Sequence, residues 1–278
     1  MSMEEEFLNL LLDMIKTDRL VLPTLPEVAL RIREAVEDVE VSAQKLAEVI
    51  ASDAALSARL IKVANSPLLR GRIAVDNLQM GITRLGLTFV RNLATGLAME
   101  QMFQATTEFV DTRMRASWEH SIEVASISHV LAKQYAGLKA DQATLAGLTH
   151  EIGILPILTF AEEHPALLED EETLDRIIAQ LHPTIGQAIL TAWEFPPSLS
   201  NVPKDYLNFG REHAGAADYA DVVCVANLQS YVGTDHPLAS INWADVPAFA
   251  KLGLATDMDV FEVDGIAEDI EHARALLS

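Results

Sequence analysis

Apolar residues recur every three or four positions through almost the whole chain, and no segment sustains the apolar–polar alternation of a half-buried strand. That pattern restricts the fold to packed helices. In residues 4–17, EEEFLNLLLDMIKT, the side chains of Phe7, Leu10, Leu11, Met14 and Ile15 share one face, and the glutamates sit where the positive end of a helix dipole favours them. Pro23 and Pro26 break the chain, and Ala29, Leu30, Ile32, Ala35 and Val36 form the next stripe. Ser42, Asp53 and either Asp76 or Asn77 are suited to cap the helices that follow. Asn65-Ser66-Pro67 ends one of them by turn chemistry, and Gly86 closes another. Leu87 to Phe103 reads as one long apolar helix.

The second half begins near Thr106. Ser117 to Tyr135 is expected as a helix with Trp118, Ile122, Ala125, Ile127 and Leu131 inward, and Asp141 opens the helix that carries His150. Glu169 to Glu172 reads as a solvated helix start. His182-Pro183 reads as an N-cap followed by proline at the first helical position, with that helix running to about Phe195, where Pro196-Pro197 stop it. Further helices are expected from Ala216 to Tyr231 and from Ala267 to Leu277. The expected architecture is all-α: a helical bundle in residues 1–105, a second helical bundle in 106–235 and a helical tail in 236–278. No internal repeat or low-complexity linker separates the halves, so they are expected to pack together.

Composition narrows the function classes. Half of the 278 residues are hydrophobic, enough for a sizeable core, and the single cysteine, Cys224, leaves neither a disulfide framework nor a thiolate metal cluster. No apolar run is read as a membrane span, and the acidic opening MSMEEEF is unlike a signal peptide, so a cytoplasmic location and no membrane partner are expected. With 20 basic and 41 acidic residues the net charge is −21, which repels nucleic acid and anionic lipid. Arg70, Arg72, Arg84 and Arg91 form the best basic cluster, read here as a solvated face; no nucleic-acid partner is expected.

Several segments, in order, resemble the HDOD family of bacterial regulatory domains, which is related to the HD and HD-GYP phosphohydrolases. LPTLPEV is similar to its proline-rich opening, and SDAALSARLIKVANSPLL to its most specific segment. GITRLGLTFVRNLATG resembles the helix pair that follows, and WEHSIEVASISHVLA, AGLTHEIGILPIL, HPTIGQAILTAWEFP and ADVVCVANLQSYV resemble the HD-like half. The resemblance spans roughly residues 18 to 230. It implies a helical bundle packed on an HD-like helical bundle. It also implies that the metal-binding positions of the HD enzymes fall on His120, His150, Glu151 and Asn227, with the extra histidine of the HD-GYP pattern on His182 at the pocket rim. The double histidine of that pattern has no counterpart in FPPSLSNVPKDYLNF.

A hydrolytic metal site needs ligands, an open coordination position and enough negative charge to hold a dication. Glu151 supplies one carboxylate on a longer arm than aspartate, and Asn227 supplies only a neutral oxygen. A divalent metal (Mn, Mg, Zn or Fe) is compatible with these positions, but none is expected to be required. The same residues can instead form a polar cluster that satisfies its own hydrogen bonds. His129 and His164 read as surface or partly packed, Cys224 as inert core, and DMDVFEVDG as a solvated turn with Phe261 where a calcium loop needs oxygen. Two functions follow. One is a non-catalytic signalling module that binds a protein partner or small ligand in the cleft between its halves. The other is a metal-dependent phosphohydrolase acting on a nucleotide or cyclic dinucleotide. Oligomeric state is open.

Overall fold

The computed structural model describes residues 3–17, 19–37, 42–67, 69, 71 and 73–277, and every regular element among them is helical. Six helices make the N-terminal half: α1 (Met3–Lys16), α2 (Glu27–Glu37), α3 (Ala43–Ile50), α4 (Ala54–Ala64), α5 (Leu78–Leu85) and α6 (Leu87–Ala98). Their starts are local events. The side chains of Ser42, Asp53 and Asn77 accept hydrogen bonds from the backbone N–H of Lys45, Leu56 and Met80, each satisfying one of the donors a helix start leaves free. Gly86 separates α5 from α6 at φ 87°, a conformation that disfavours a side chain. The expected long helix from Leu87 to Phe103 stops at Ala98 and tightens into a 3-10 turn over Met99–Met102.

The second half holds α7 (Glu108–Leu131), α8 (Ala140–Thr149), α9 (Ile154–Glu162), α10 (Pro165–Leu168), α11 (Glu171–Ala192), α12 (Pro197–Ser200), α13 (Val202–Asp205) and α14 (Tyr219–Ser230), followed by α15 (Pro247–Leu252) and α16 (Ile266–Leu277). Helix α7 begins nine residues before the expected Ser117. The residues leading into it are held from far along the chain: the Glu162 carboxylate accepts from the backbone N–H of Thr106 at 3.2 Å and of the N-cap Thr107 at 2.8 Å. At its other end α7 widens into a π turn over Ala132–Ala136, closed by Gly137.

The expected helix start at His182-Pro183 is overturned. Helix α11 starts at Glu171, with the side chain of the N-cap Asp170 accepting from the Thr173 N–H, and runs through Pro183 without a break. Proline withholds an N–H from the carbonyl of Ala179. The buried stripe of Leu174, Ile177, Leu181, Ile185 and Ile189 nevertheless continues across it, and its burial outweighs the local cost.

One cluster of buried apolar side chains extends from Leu11 to Leu277. Helix α6 links the halves, packing on α2 on one side and on α8 on the other, while α7 lies against α8, α14 and α16. Two glycines set the closest approaches. A Cβ on Gly147 would lie 2.4 Å from the Ala125 Cα, so α8 can nest against α7 only with glycine there. A Cβ on Gly153 would lie 2.0 Å from the His182 carbonyl oxygen, so the turn before α9 presses directly on α11.

The stretch Ala140–Glu162 does reach the length and hydropathy of a membrane span, contrary to the reading of the sequence, and 89% of its apolar window is buried against other helices. Its hydrophobicity is that of a core element. His129, expected near the surface, is buried, and its Nδ1 lies 2.9 Å from the Thr144 hydroxyl. Arg84 holds the carbonyls of Ala64 and Ile73, whereas Arg70 and Arg72 lie outside the described residues.

Candidate metal centre

Three elements bring the site together. His120 lies in the middle of α7, and His150 is the C-cap of α8. Glu151 follows in the tight turn that leads to α9, and Asn227 comes from α14. The close α7–α8 contact at Gly147 draws the imidazoles together, with the ring centroids of His120 and His150 5.4 Å apart. His120, His150 and Glu151 each offer a ligand atom within 4.8 Å of the others. Ligands about 2 Å from a shared ion lie roughly 3–4 Å apart, so only a small contraction separates this arrangement from coordination.

The protonation of His150 follows from its partner. Its Nδ1 sits 2.7 Å from the Gly147 carbonyl oxygen, which can only accept, so Nδ1 carries the proton. The other nitrogen, Nε2, then bears a bare lone pair; it is sealed from solvent and has no hydrogen-bond partner among the described residues. A buried polar atom without a partner is costly, and a ring nitrogen oriented by a backbone carbonyl is the usual arrangement of a metal-ligating histidine. Burial pulls the His150 pKa down to about 4, so the lone pair is available at neutral pH. Burial raises the Glu151 carboxyl, but the neighbouring histidines His150, His120 and His182 and the Ser117 hydroxyl, 3.0 Å away, outweigh it and hold the group lowered and ionised.

The other two positions are engaged elsewhere. Asn227 Oδ1 faces His120 Nε2 at 3.0 Å, and the Tyr231 hydroxyl approaches the same nitrogen at 3.2 Å. With the amide oxygen as acceptor, the His120 proton is on Nε2, and coordination through that nitrogen requires the proton to move to Nδ1. Tyr231 also stacks on His120 and on His236.

His182 was expected at the rim of the pocket rather than at its centre. It is buried, its Nδ1 donating to the Ile178 carbonyl and its Nε2 accepting from the Tyr206 hydroxyl at 2.8 Å. Tyr206, 1% exposed, also packs against His150 with ring centroids 4.8 Å apart. Burial first, then the Glu151 charge, raise its pKa well above the ordinary value, so the phenol stays protonated and donates. Tyr206 was missed in the sequence because an aromatic in YLNF carries no signal of its role; it is 24 residues from the histidine it bonds.

His213, Asp218 and Asp221 also converge, but Arg211 lies among them. It donates to Asp218 at 3.0 and 2.6 Å and to Asp221 at 3.0 Å, while His213 Nε2 lies 2.8 Å from Asp221. With a resident cation and a reciprocal capping box at the start of α14, these groups are a structural ion-pair network. Cys224 is buried, which pushes its thiol up to about 12 and leaves it an inert core residue. In DMDVFEVDG, Asp259 caps a short turn over Val260–Glu262.

The model of the HDOD domain matches residues 22–205 of this sequence. The chain belongs to the HDOD family. Among solved structures, it is similar to a provisionally named metal-dependent phosphohydrolase from Shewanella amazonensis SB2B, at 35% identity, with 100% of both chains covered and a TM-score of 0.87. It shares its fold with an HDOD domain protein from Geobacter sulfurreducens, at 21% identity over 92% of this chain and 93% of that one, TM-score 0.64. A curated relative, an uncharacterised protein of Treponema pallidum (strain Nichols), is 24% identical over 74% of this chain, which spans 42% of that relative's length. Membership in this family supports a regulatory or HD-like role.

Proposed function

We propose that this HDOD protein is a regulatory module that does not turn over phosphoesters and that acts by binding a small ligand or a protein partner in the cleft between its helical halves. The observation that carries this reading is the state of the ligand set. One carboxylate, Glu151, stands among the four HD positions; Asn227 is a neutral amide bonded to His120, and the lone pair of His182 is taken by Tyr206. A dication held there meets one formal negative charge, where an aspartate in place of Asn227 would make two. Binding in the cleft can be relayed by α6 and α8, which pack on each other across it.

The residues present do fit a single divalent ion, held by His120, His150 and one oxygen of Glu151. When bound, such an ion would act as a Lewis acid toward a phosphoryl oxygen. The orphaned Nε2 of His150 supports this fit and favours a second reading, a metal-dependent phosphohydrolase, as does the name of the 35% identical protein. Elemental analysis of the purified protein, with hydrolysis of bis-p-nitrophenyl phosphate and cyclic dinucleotides measured with added manganese, zinc, iron or magnesium, separates the two. Metal at or below one equivalent without turnover fits the regulatory module. Sustained turnover lost in Glu151→Gln would make the second reading the correct one.

A further inference from the structure

A cavity of about 200 Å³ opens between α2 and α6 of the N-terminal half and α8, the end of α11 and α12 of the HD-like half. It is distinct from the candidate metal centre, and its polar lining is unevenly engaged. Arg91 uses Nε to donate to Asn92 Oδ1 at 3.1 Å, which holds the guanidinium plane; both of its Nη groups have no partner among the described residues. Asn92 in turn donates through Nδ2 to Asp141 at 2.6 Å, which fixes its amide. Thr95 is only 4% exposed, yet its hydroxyl is neither bonded nor sealed, so it opens onto the cavity it lines. Gln142 accepts from the Tyr219 hydroxyl at 2.7 Å through Oε1, and its amide N–H groups have no partner among the described residues.

The free groups can therefore all donate, and one of them is cationic. The one acid in the lining, Glu194, is turned to solvent and paired with Arg33 at 3.3 Å. Arg33 also bonds the Trp193 carbonyl and so clamps the end of α11, where Glu194 adopts φ 59°, alone among the described non-glycine residues in having a positive φ. The remaining wall is apolar, formed by Leu145, Phe195, Pro196 and Leu199. A planar guanidinium with two free Nη groups matches the paired oxygens of a carboxylate or phosphate, and an apolar wall opposite it takes a hydrocarbon body. The volume lies below the roughly 300–1,000 Å³ of pockets for drug-sized ligands, which points to a small molecule rather than a dinucleotide.

We propose that this inter-half cavity binds a small amphipathic oxyanion, an apolar or aromatic body carrying one carboxylate or phosphate, with Arg91 as the anion clamp and Thr95 and Gln142 as further donors. The inference rests on reading the protein as a ligand-responsive module and names the chemistry of its ligand. Because the cavity is walled by both halves, an occupant bridges them, which is the geometry a ligand needs to bias their packing.

The test uses the full chain and ligand-observed NMR titration with benzoate and phenyl phosphate, against benzamide and benzyl alcohol as neutral analogues. The oxyanions are expected to bind at least about tenfold more tightly than the neutral analogues, and Arg91→Met to remove most of that advantage. Thr95→Val, which keeps the shape and deletes only the hydroxyl, is expected to weaken benzoate several-fold. Equal binding of benzoate and benzamide, benzoate binding unchanged in both variants, or no binding by any probe would overturn the proposal. The comparison of charged and neutral probes needs no variant, so it stands even if one fails to fold. Phosphoester turnover would overturn the regulatory reading and leave the probe result in place. Absent probe binding would overturn this inference and leave a regulatory module that binds a protein.

Discussion

The Tyr206 hydroxyl donates to His182 Nε2 at 2.8 Å, and this contact occupies the one lone pair of that nitrogen. It joins α11 to the residue just after α13 and is fully enclosed. Tyr206→Phe leaves that nitrogen buried without a donor. Urea unfolding should show a loss of about 1–2 kcal/mol. An unchanged midpoint would mean that water reaches His182 and that the tyrosine does not close the site.

Charge, more than donor count, is expected to limit the affinity of a divalent ion for His120, His150 and Glu151. Asn227→Asp combined with Glu151→Asp restores the second carboxylate and shortens the reach of the first. Manganese or zinc should bind the double variant at least tenfold more tightly than the parent, about 1.4 kcal/mol, by titration calorimetry. Equal affinities would show that these residues are a self-satisfied polar cluster rather than an HD-type metal site.

His129 is buried and neutral. Thr144 donates its proton to the Ala140 carbonyl, so it must accept from His129 Nδ1. Burial, reinforced by Lys133, lowers the imidazole pKa to about 4. The unfolded chain therefore binds a proton near pH 6.5 that the folded chain refuses until about pH 4, and stability falls as pH drops through that window. Between pH 7 and pH 5 this group alone should cost about 2 kcal/mol. Denaturant titrations of the parent and His129→Gln at both pH values isolate it: the variant should show a shallower dependence, and an equal slope would place the proton elsewhere.

Asn65 ties the end of α4 to the segment before α5. Its Oδ1 accepts from the Val75 N–H at 2.7 Å, and its Nδ2 donates to the carbonyls of Val75 at 2.7 Å and Ile61 at 3.1 Å. Asn65→Ala deletes this reciprocal pairing beside buried Val75 and should lower stability by about 2 kcal/mol in urea unfolding. A loss no larger than that of an exposed asparagine would mean that water replaces the side chain at this turn.

What the sequence determined by itself is what neighbours within one helical turn decide. Ser42, Asp53 and Asn77 cap their helices because a short polar side chain reaches an N–H three residues on, and Asp53 accepts from Leu56 at 2.9 Å with no help from the rest of the chain. The apolar stripes are equally local, and they fix the helical class. The tertiary structure decided what depends on distant partners. Glu162 extends α7 backward by capping Thr107 across 55 residues, and a buried stripe carries α11 through Pro183 against its local preference. His129 is interior because α8 brings Thr144 over it. At the site, residue identities alone allowed either a metal centre or a closed polar cluster. The choice of which lone pairs stay free, with His150 Nε2 open and His182 Nε2 taken by Tyr206, was made by packing, because each depends on the distance between helices that share no local sequence.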